Sequence, residues 1–416
     1  ELPAAHWMLI EADGRTTSEP YWQPANLSRS STSLGAADAV DELLGEAVAA
    51  RLESDVPLGC FLSGGIDSSL IAAIAQRKLG GDRLRTFSVA MPDADYDEGP
   101  YARQVAEHIG AQHEVLTAQP NVEDDLRRLV AVSGEPTGDS SILPTFWLSR
   151  AARQAVTVAL SGDGGDELFG GYDRYRALRL LRRYGPMLRW LPVKEWDAAD
   201  PKATRSRIGR LLRAARHRTP DRQYLDLVRL FTPAQLGRLG AGTIPAPDLP
   251  PGWPDERDPA ESARRWDLVH YLPFDLLRKV DRASMAVALE VRCPMLDTQV
   301  CDLAAHLPIH VLMPGGKAKG LLRHVAAKYL PASIARRPKM GFALPIGRWF
   351  AGPCEPMLRR WLLKTDHHEQ LGFRLARIEQ MIASHIAGHR DHSHRLFTLL
   401  TLSMWLDWLK DPQPPK

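Results

Sequence analysis

One stretch limits the possible folds of this chain more than any other: Leu58-Gly59-Cys60-Phe61-Leu62-Ser63-Gly64-Gly65-Ile66-Asp67-Ser68-Ser69. A short apolar run breaks at Ser63-Gly64-Gly65. A helical pattern then follows, with Ile66, Leu70, Ile71 and Ile74 on one face. A strand, a glycine turn and a helix N-terminus together form an anion site. Glycines allow close backbone approach, and the first helical N–H groups have no partner inside the helix. The helix dipole adds to the attraction. Ser63, Ser68 and Ser69 offer hydroxyl donors for phosphate oxygens. Asp67 would repel a polyphosphate unless a cation stands between them, which points to Mg²⁺. The stretch is neither a Walker A loop nor a Gly-x-Gly-x-x-Gly turn.

The rest of the first half fits the same kind of fold. Ala36–Leu52 is an amphipathic helix, and apolar strands at Leu58–Leu62, Thr86–Val89, Glu114–Leu116 and Val156–Leu160 alternate with helices. Such alternation predicts a parallel sheet covered on both faces, with ligands beyond the carboxyl ends of the strands. The ends that matter are Ser63, Val89 and Ser161. After the last strand comes Ser161-Gly162-Asp163-Gly164-Gly165-Asp166-Glu167-Leu168-Phe169-Gly170-Gly171-Tyr172. Three acids in one glycine-rich turn repel each other. A cation shared with Asp67 would relieve this, making Asp166 the second expected metal ligand.

Beyond Tyr172 strand signals vanish and helical patterns dominate. Arg174–Arg218 mixes arginine with leucine, as in helices with a buried stripe and a charged outer face. RNA contact is the alternative, but a solvated face or a partner surface is the preferred reading, so nucleic acid is not expected as a partner. Ala241–Asp258 reads as a long loop. His385, His389, His392 and His394 are read as a solvated helix end in preference to a metal site. Residues 1–33 read as a hairpin and a linker.

With 416 residues and a net charge of +3, the chain calls for two domains and carries no strong electrostatic demand for nucleic acid. No apolar run is long enough to span a bilayer, so no membrane is expected. Four scattered cysteines read as free thiols in a reducing cytoplasm.

The first glycine turn resembles the PP-loop, Ser-Gly-Gly-x-Asp-Ser, of the ATP pyrophosphatase enzymes. The second is similar to a signature of glutamine-hydrolysing asparagine synthetases. So are Asp281-Arg282-Ala283-Ser284-Met285, Glu290 to Asp297, Lys319-Gly320-Leu321-Leu322-Arg323 and Arg337-Pro338-Lys339-Met340-Gly341-Phe342. The resemblance runs from Val56 to Phe350. It implies a five-stranded parallel sheet of adenine-nucleotide α-hydrolase type with a large C-terminal helical extension. The expected division is residues 1–33 as hairpin and linker of a glutaminase domain, 34–172 as the ATP-binding α/β domain, and 173–416 as the mainly helical extension.

The implied reaction adenylates a carboxylate, aspartate in the synthetases, and then transfers ammonia or an amine to it. The implied cofactors are ATP and Mg²⁺. By correspondence, Phe61 and Val89 hold the adenine, Ser63, Gly64, Gly65, Asp67, Ser68 and Ser69 the phosphates, and Ser161 and Gly162 the ribose and α-phosphate. Lys339 would act as a mobile cation on the developing charge, and Asp163 would accept or position the amine. Glu290, Arg292 and Arg323 either bind substrate or are paired ions.

Expected partners are a small carboxylate, an ammonia or amine donor and a glutaminase domain or subunit, with a homodimer as the assembly. Two other readings stay open. One is a specialised amide-forming enzyme such as a lasso-peptide cyclase. The other is a tRNA-directed or non-catalytic PP-loop protein, against which the retained Asp67, Asp163, Asp166 and Lys339 argue.

Overall fold

The computed structural model describes residues 2–23, 35–90, 97–117, 121–191, 204–240, 252–337 and 344–412. The chain opens with an antiparallel hairpin, β1 (His6–Ile10) and β2 (Thr16–Pro20), which forms a two-stranded sheet of its own. Its tie to the body is Trp22, whose indole donates to Asp302 at 2.9 Å.

The central sheet has five parallel strands in the order β5-β4-β3-β6-β7. They are β3 (Leu58–Phe61), β4 (Arg85–Ala90), β5 (Gln112–Thr117), β6 (Val158–Leu160) and β7 (Glu290–Arg292). Helix α1 (Ala36–Leu52), α2 (Ile66–Leu79) and α3 (Gly99–Ile109) share one apolar core with β3. Helix α4 (Val122–Ser133) packs with α5 (Ile142–Ala152), and α5 lies on β4 through Leu148 and Ala152, against Phe87 and Val89. Leu70, Ile71 and Ile74 of α2 are at most 2% exposed. Each such side chain contributes about 1.5–3 kcal/mol by leaving water.

The sheet order fixes where ligands can sit. From β3 the chain moves outward through β4 to β5, then returns to place β6 on the other side of β3. The crevice of such a sheet opens where neighbouring strands feed connections in opposite directions. Here that point lies between β3 and β6, the strands that end in the two glycine turns.

The fifth strand corrects one expectation. Strand signals were expected to end at Tyr172, yet β7 comes from far beyond it and pairs in register with β6, Val158 opposite Glu290 and Leu160 opposite Arg292. Three residues are too few to show an alternating pattern, so the sequence carried little sign of it.

The remaining chain is helical, beginning with α6 (Gly165–Phe169), α7 (Asp173–Leu188), α8 (Thr204–Ala214) and α9 (Pro220–Val228). Arginines of the basic run pair internally, Arg174 with Asp267 at 2.9 Å and Arg179 with Asp258 at 2.8 Å. Asp267 is fully buried and also accepts from Tyr175 and Tyr224, so its charge is held by a complete set of donors. The loop expected at 241–258 falls largely outside the described residues. No helix is long and apolar enough to cross a membrane among the described residues.

Candidate active site

The first turn is braced by its own serines. Ser68 Oγ receives the Ser63 amide at 3.2 Å and lies 3.0 Å from Ser63 Oγ, which in turn receives the Gly65 amide at 3.2 Å. Gly64 sits at φ +70°, a conformation side chains resist, and a Cβ there would stand 2.5 Å from Cβ of Tyr101. Gly65 precedes α2 without a side-chain cap, which leaves the amides of the first turn to a ligand.

The second turn leaves β6 at Ser161, whose amide donates to Arg292 of β7 at 2.9 Å. Ser161 Oγ donates to Asp163 Oδ2 at 2.8 Å, fixing that carboxylate. The two turns touch at Gly162, where a Cβ would come 2.5 Å from the Ser68 amide nitrogen and 2.7 Å from the Asp67 carbonyl carbon.

Between them lies a cleft of about 450 Å³. Phe61, Ser63, Gly65, Asp67, Ser68 and Val89 line it from the β3 and β4 side. Ser161, Gly162, Asp163 and Asp166 line it from the β6 side, and Arg323 from the helical extension. Gly64 stands in the turn itself. Ser69 does not face the cleft: it is fully buried, and its hydroxyl has no hydrogen-bond partner among the described residues. Glu290 and Arg292 also stay outside. Arg292 pairs with Glu290 at 2.6 Å and donates to the Arg51 and Glu53 carbonyls at 3.0 and 2.7 Å, a structural clasp on β7. Arg323 spends its guanidinium on the Ala318 and Ala335 carbonyls at 3.0 and 2.7 Å. Lys339 lies outside the described residues.

Asp67 and Asp166 do converge on one positive charge, and that charge is Lys319. Its ammonium lies 2.5 Å from Asp67 Oδ2 and 2.7 Å from Asp166 Oδ1. Burial alone would lower the lysine's pKa, but the two carboxylates outweigh it and the net shift is upward. Lys319 is 3% exposed and sits at φ 54°, a left-handed conformation that costs a non-glycine residue roughly 1 kcal/mol or more. Such strain persists where surroundings over-determine the geometry. Here Arg323 holds the carbonyl of Ala318, the residue before it.

Whether Mg²⁺ suits this place can be judged from the donors. Two carboxylate oxygens already grip a cation together, and Mg²⁺ is typically held by one or two carboxylates plus substrate phosphates. Among the described residues no group of three or more His, Cys, Asp or Glu is placed to hold a metal unaided. The residues therefore fit a metal whose coordination is completed by phosphate oxygens and water.

Several groups that the sequence reading passed over also line the cleft. Glu167 is fully buried, and its carboxyl accepts from the Tyr172 hydroxyl. Burial first, then the neighbouring Asp166 charge, push it up to about 7. Glu98 is likewise raised to about 7, chiefly by burial and against the pull of Arg337 at 3.3 Å. Arg337 stacks 3.7 Å over the Tyr101 ring and donates to the Gly64 carbonyl at 3.1 Å, so it clips the first turn in place. Lys279 pairs with Asp139 at 3.0 Å and donates to Ser141 at 2.8 Å. Burial opposes both charges of that pair, yet mutual attraction keeps the lysine's pKa raised and the aspartate's lowered. The available signal was adjacency: Lys319 and Arg337 stand inside the family motifs, and Lys279 two residues before one.

The histidine cluster needs correction in part. His389 and His394 are exposed, but His385 and His392 are each 7% exposed. His385 Nδ1 accepts the His392 amide at 3.2 Å and Nε2 faces the Gly347 carbonyl at 3.0 Å, so this ring is a structural tie.

The asparagine synthase family profile matches residues 39–407. Over 386 residues the chain is 35% identical to a putative glutamine-hydrolysing asparagine synthetase of Mycobacterium bovis, covering 88% of this chain and 57% of that one. It is 29% identical over 378 residues to asparagine synthetase [glutamine-hydrolyzing] 1 of Bacillus subtilis, covering 88% and 58%. It is 26% identical over 416 residues of alignment to amidase chyE of Penicillium rubens, covering 88% and 62%. The chain thus spans less than two thirds of the length of these curated relatives.

Proposed function

The chain belongs to the asparagine synthase family, and from that premise we propose that it is an ATP-dependent, AMP-forming amide ligase. It would adenylate a small carboxylate, aspartate first among candidates, and pass ammonia or an amine to the acyl group. The observation that carries this reading is the meeting of the two glycine turns at Gly162, with Asp67 and Asp166 gripping one cation beside them. The names of the relatives support a glutaminase domain or subunit as the nitrogen source. Four free thiols suit a cytoplasmic setting.

The steps follow from the residues. A substrate carboxylate oxygen forms a bond to the α-phosphorus of ATP, and the bond from that phosphorus to the bridging oxygen breaks, releasing pyrophosphate. The amides at the start of α2, with Ser63 and Ser68, would receive its negative oxygens in a preset cradle. Mg²⁺ held by Asp67 and Asp166 would neutralise part of that charge. Lys319 lies where it can share this work, and Lys339 is proposed for the charge at the α-phosphate. In the second step the amine attacks the acyl carbon and AMP leaves. Asp163, held by Ser161, is proposed to take the proton that the amine sheds. Phe61 and Val89 would bound the adenine, and Lys279 and Asp139 offer one charge of each sign to an amino-acid substrate.

The test is exchange of labelled pyrophosphate into ATP, screened over carboxylates. Aspartate-dependent exchange, and asparagine plus AMP on adding ammonia, are expected. ADP as product, or no exchange with any carboxylate, would overturn the proposal.

A further inference from the structure

The residues numbered 134–141, which join α4 to α5, bring Asp139, Ser140 and Ser141 to the lining of the main cleft. In the reaction above the nucleotide takes Phe61, Val89 and the two glycine turns. Asp139, Ser140, Ser141 and Lys279 are polar lining that this assignment leaves for the carboxylate substrate. The loop has few bonds of its own. The Asp139 amide donates to the Thr137 hydroxyl at 3.2 Å, and the Ser141 amide and hydroxyl donate to Asp139 Oδ1 at 2.9 and 2.7 Å. These bonds fold the tip on itself and leave its position to be set by other contacts, since a loop takes its place from the scaffold that carries it.

That position is set from far along the chain. Thr401, 264 residues after Thr137, donates its hydroxyl to the Thr137 carbonyl at 2.7 Å. The Trp405 indole donates to the Gly134 carbonyl at 2.8 Å. A Cβ on Gly138 would meet the Thr398 hydroxyl at 3.4 Å. Thr398, Thr401 and Trp405 are spaced by three and four residues, so one face of the last described helix, Ser393–Lys410, runs along the loop. Thr401 is fully buried, and its hydroxyl also lies 3.1 Å from the Thr398 carbonyl. A hydroxyl has one proton to give, and the shorter contact is the one to the loop. A buried carbonyl that loses its donor must move to find another or stay unpaired at a cost. A second hold comes from the helix Arg278–Met285. Arg278 Nη1 donates to both Glu135 carboxylate oxygens at 2.8 and 2.7 Å, and Lys279 donates to Asp139 and Ser141 at 3.0 and 2.8 Å. Among the described residues that line the cleft, neither Thr401 nor Trp405 appears.

We propose that Thr401 and Trp405 are positioning residues for the carboxylate substrate: they set how far the loop carries Asp139 and Ser141 into the cleft, and so act on carboxylate binding and not on ATP. This rests on the ligase reading above. Pyrophosphate exchange by the full chain, with aspartate and ATP varied separately, tests it. Thr401→Val and Trp405→Phe should each raise KM for aspartate about tenfold, the effect of one lost hydrogen bond to a buried group. KM for ATP should stay within about twofold, a split that general loss of structure would not produce. Thr401→Ser restores the hydroxyl and should recover most of the aspartate KM. Ser403→Ala is the control: Ser403 lies two residues on, on the other side of the same helix, and donates to the Trp361 carbonyl at 2.7 Å. It should leave both KM values unchanged. Deuterium uptake over residues 134–141 should rise in Thr401→Val and not in Ser403→Ala. An aspartate KM unmoved by Thr401→Val, or moved equally by Ser403→Ala, would sink this inference alone while the wild type still exchanges. No exchange by the wild type with aspartate or any other carboxylate would remove the ligase reading and this inference with it.

Discussion

Gly162 lies against Ser68 so closely that a methyl group on the glycine would meet the serine's amide nitrogen at 2.5 Å. Two turns from separate strands thus touch through bare backbone. Gly162→Ala is expected to pry them apart, costing about 1–3 kcal/mol in urea unfolding. Because displacement of roughly 1 Å at a reacting centre costs about 10²-fold, carboxylate-dependent pyrophosphate exchange should fall at least that far. Wild-type exchange in this variant would show that the contact does not set the geometry.

Lys319 pairs with two carboxylates at once. Lys319→Met keeps most of the stem and removes the charge, so the loss should approach the cost of breaking a buried ion pair, about 3 kcal/mol. Magnesium should recover part of it by taking the vacated charge position. Melting temperatures with and without Mg²⁺ measure this: the variant should gain more from the metal than wild type does. Equal gains would rule out a shared cation position.

Asp163 is assigned to the second chemical step only. Asp163→Asn should therefore keep pyrophosphate exchange within about threefold while amide formation drops about 10²-fold. Equal loss of both would move the residue into the adenylation step.

Glu167 is raised to about 7 in the folded chain, mainly by burial, from an ordinary 4.5. A raised folded value means the native state holds the proton that the unfolded chain releases. Stability is therefore greatest below about pH 4.5 for this group and is lost as pH climbs through about 7. Glu167→Gln should remove this dependence, worth on the order of 3 kcal/mol across that window. Stability curves for the two proteins should converge at low pH and part as pH rises. Glu98, also raised to about 7 by burial, tilts both curves the same way.

Arg337 reaches Gly64 with one nitrogen and stacks on Tyr101 with its flat face. Lysine can reproduce the charge and neither planar contact. Arg337→Lys should loosen the first turn, raising KM for ATP more than it lowers kcat. An unchanged KM would show that the stacking is incidental.

The strand-turn-helix unit at Ser63 and the acidic turn at Ser161 were legible because glycine, serine and aspartate in those orders have few other uses. Their apposition followed from sheet logic, since parallel strands bring their carboxyl ends to one edge. What escaped notice were groups whose role depends on distant partners. Lys319 was visible as part of a motif, but its contact with Asp67 and Asp166 needs the fold. Glu290 and Arg292 looked equally apt for substrate, yet their place on β7 turns them to each other. His385 and His392 looked like solvated residues because burial on a short helix end leaves no period to read.

Strand β7 is only three residues long, and it comes from the later half of the chain, yet the turn bearing Asp163 and Asp166 hangs from it through the Ser161 amide. The nucleotide platform is thus not a portable module that ends at Tyr172. Any fragment cut there would expose the β6 edge and leave the acidic turn untethered, so the first half of the polypeptide owes the shape of its site to a strand lent by the second.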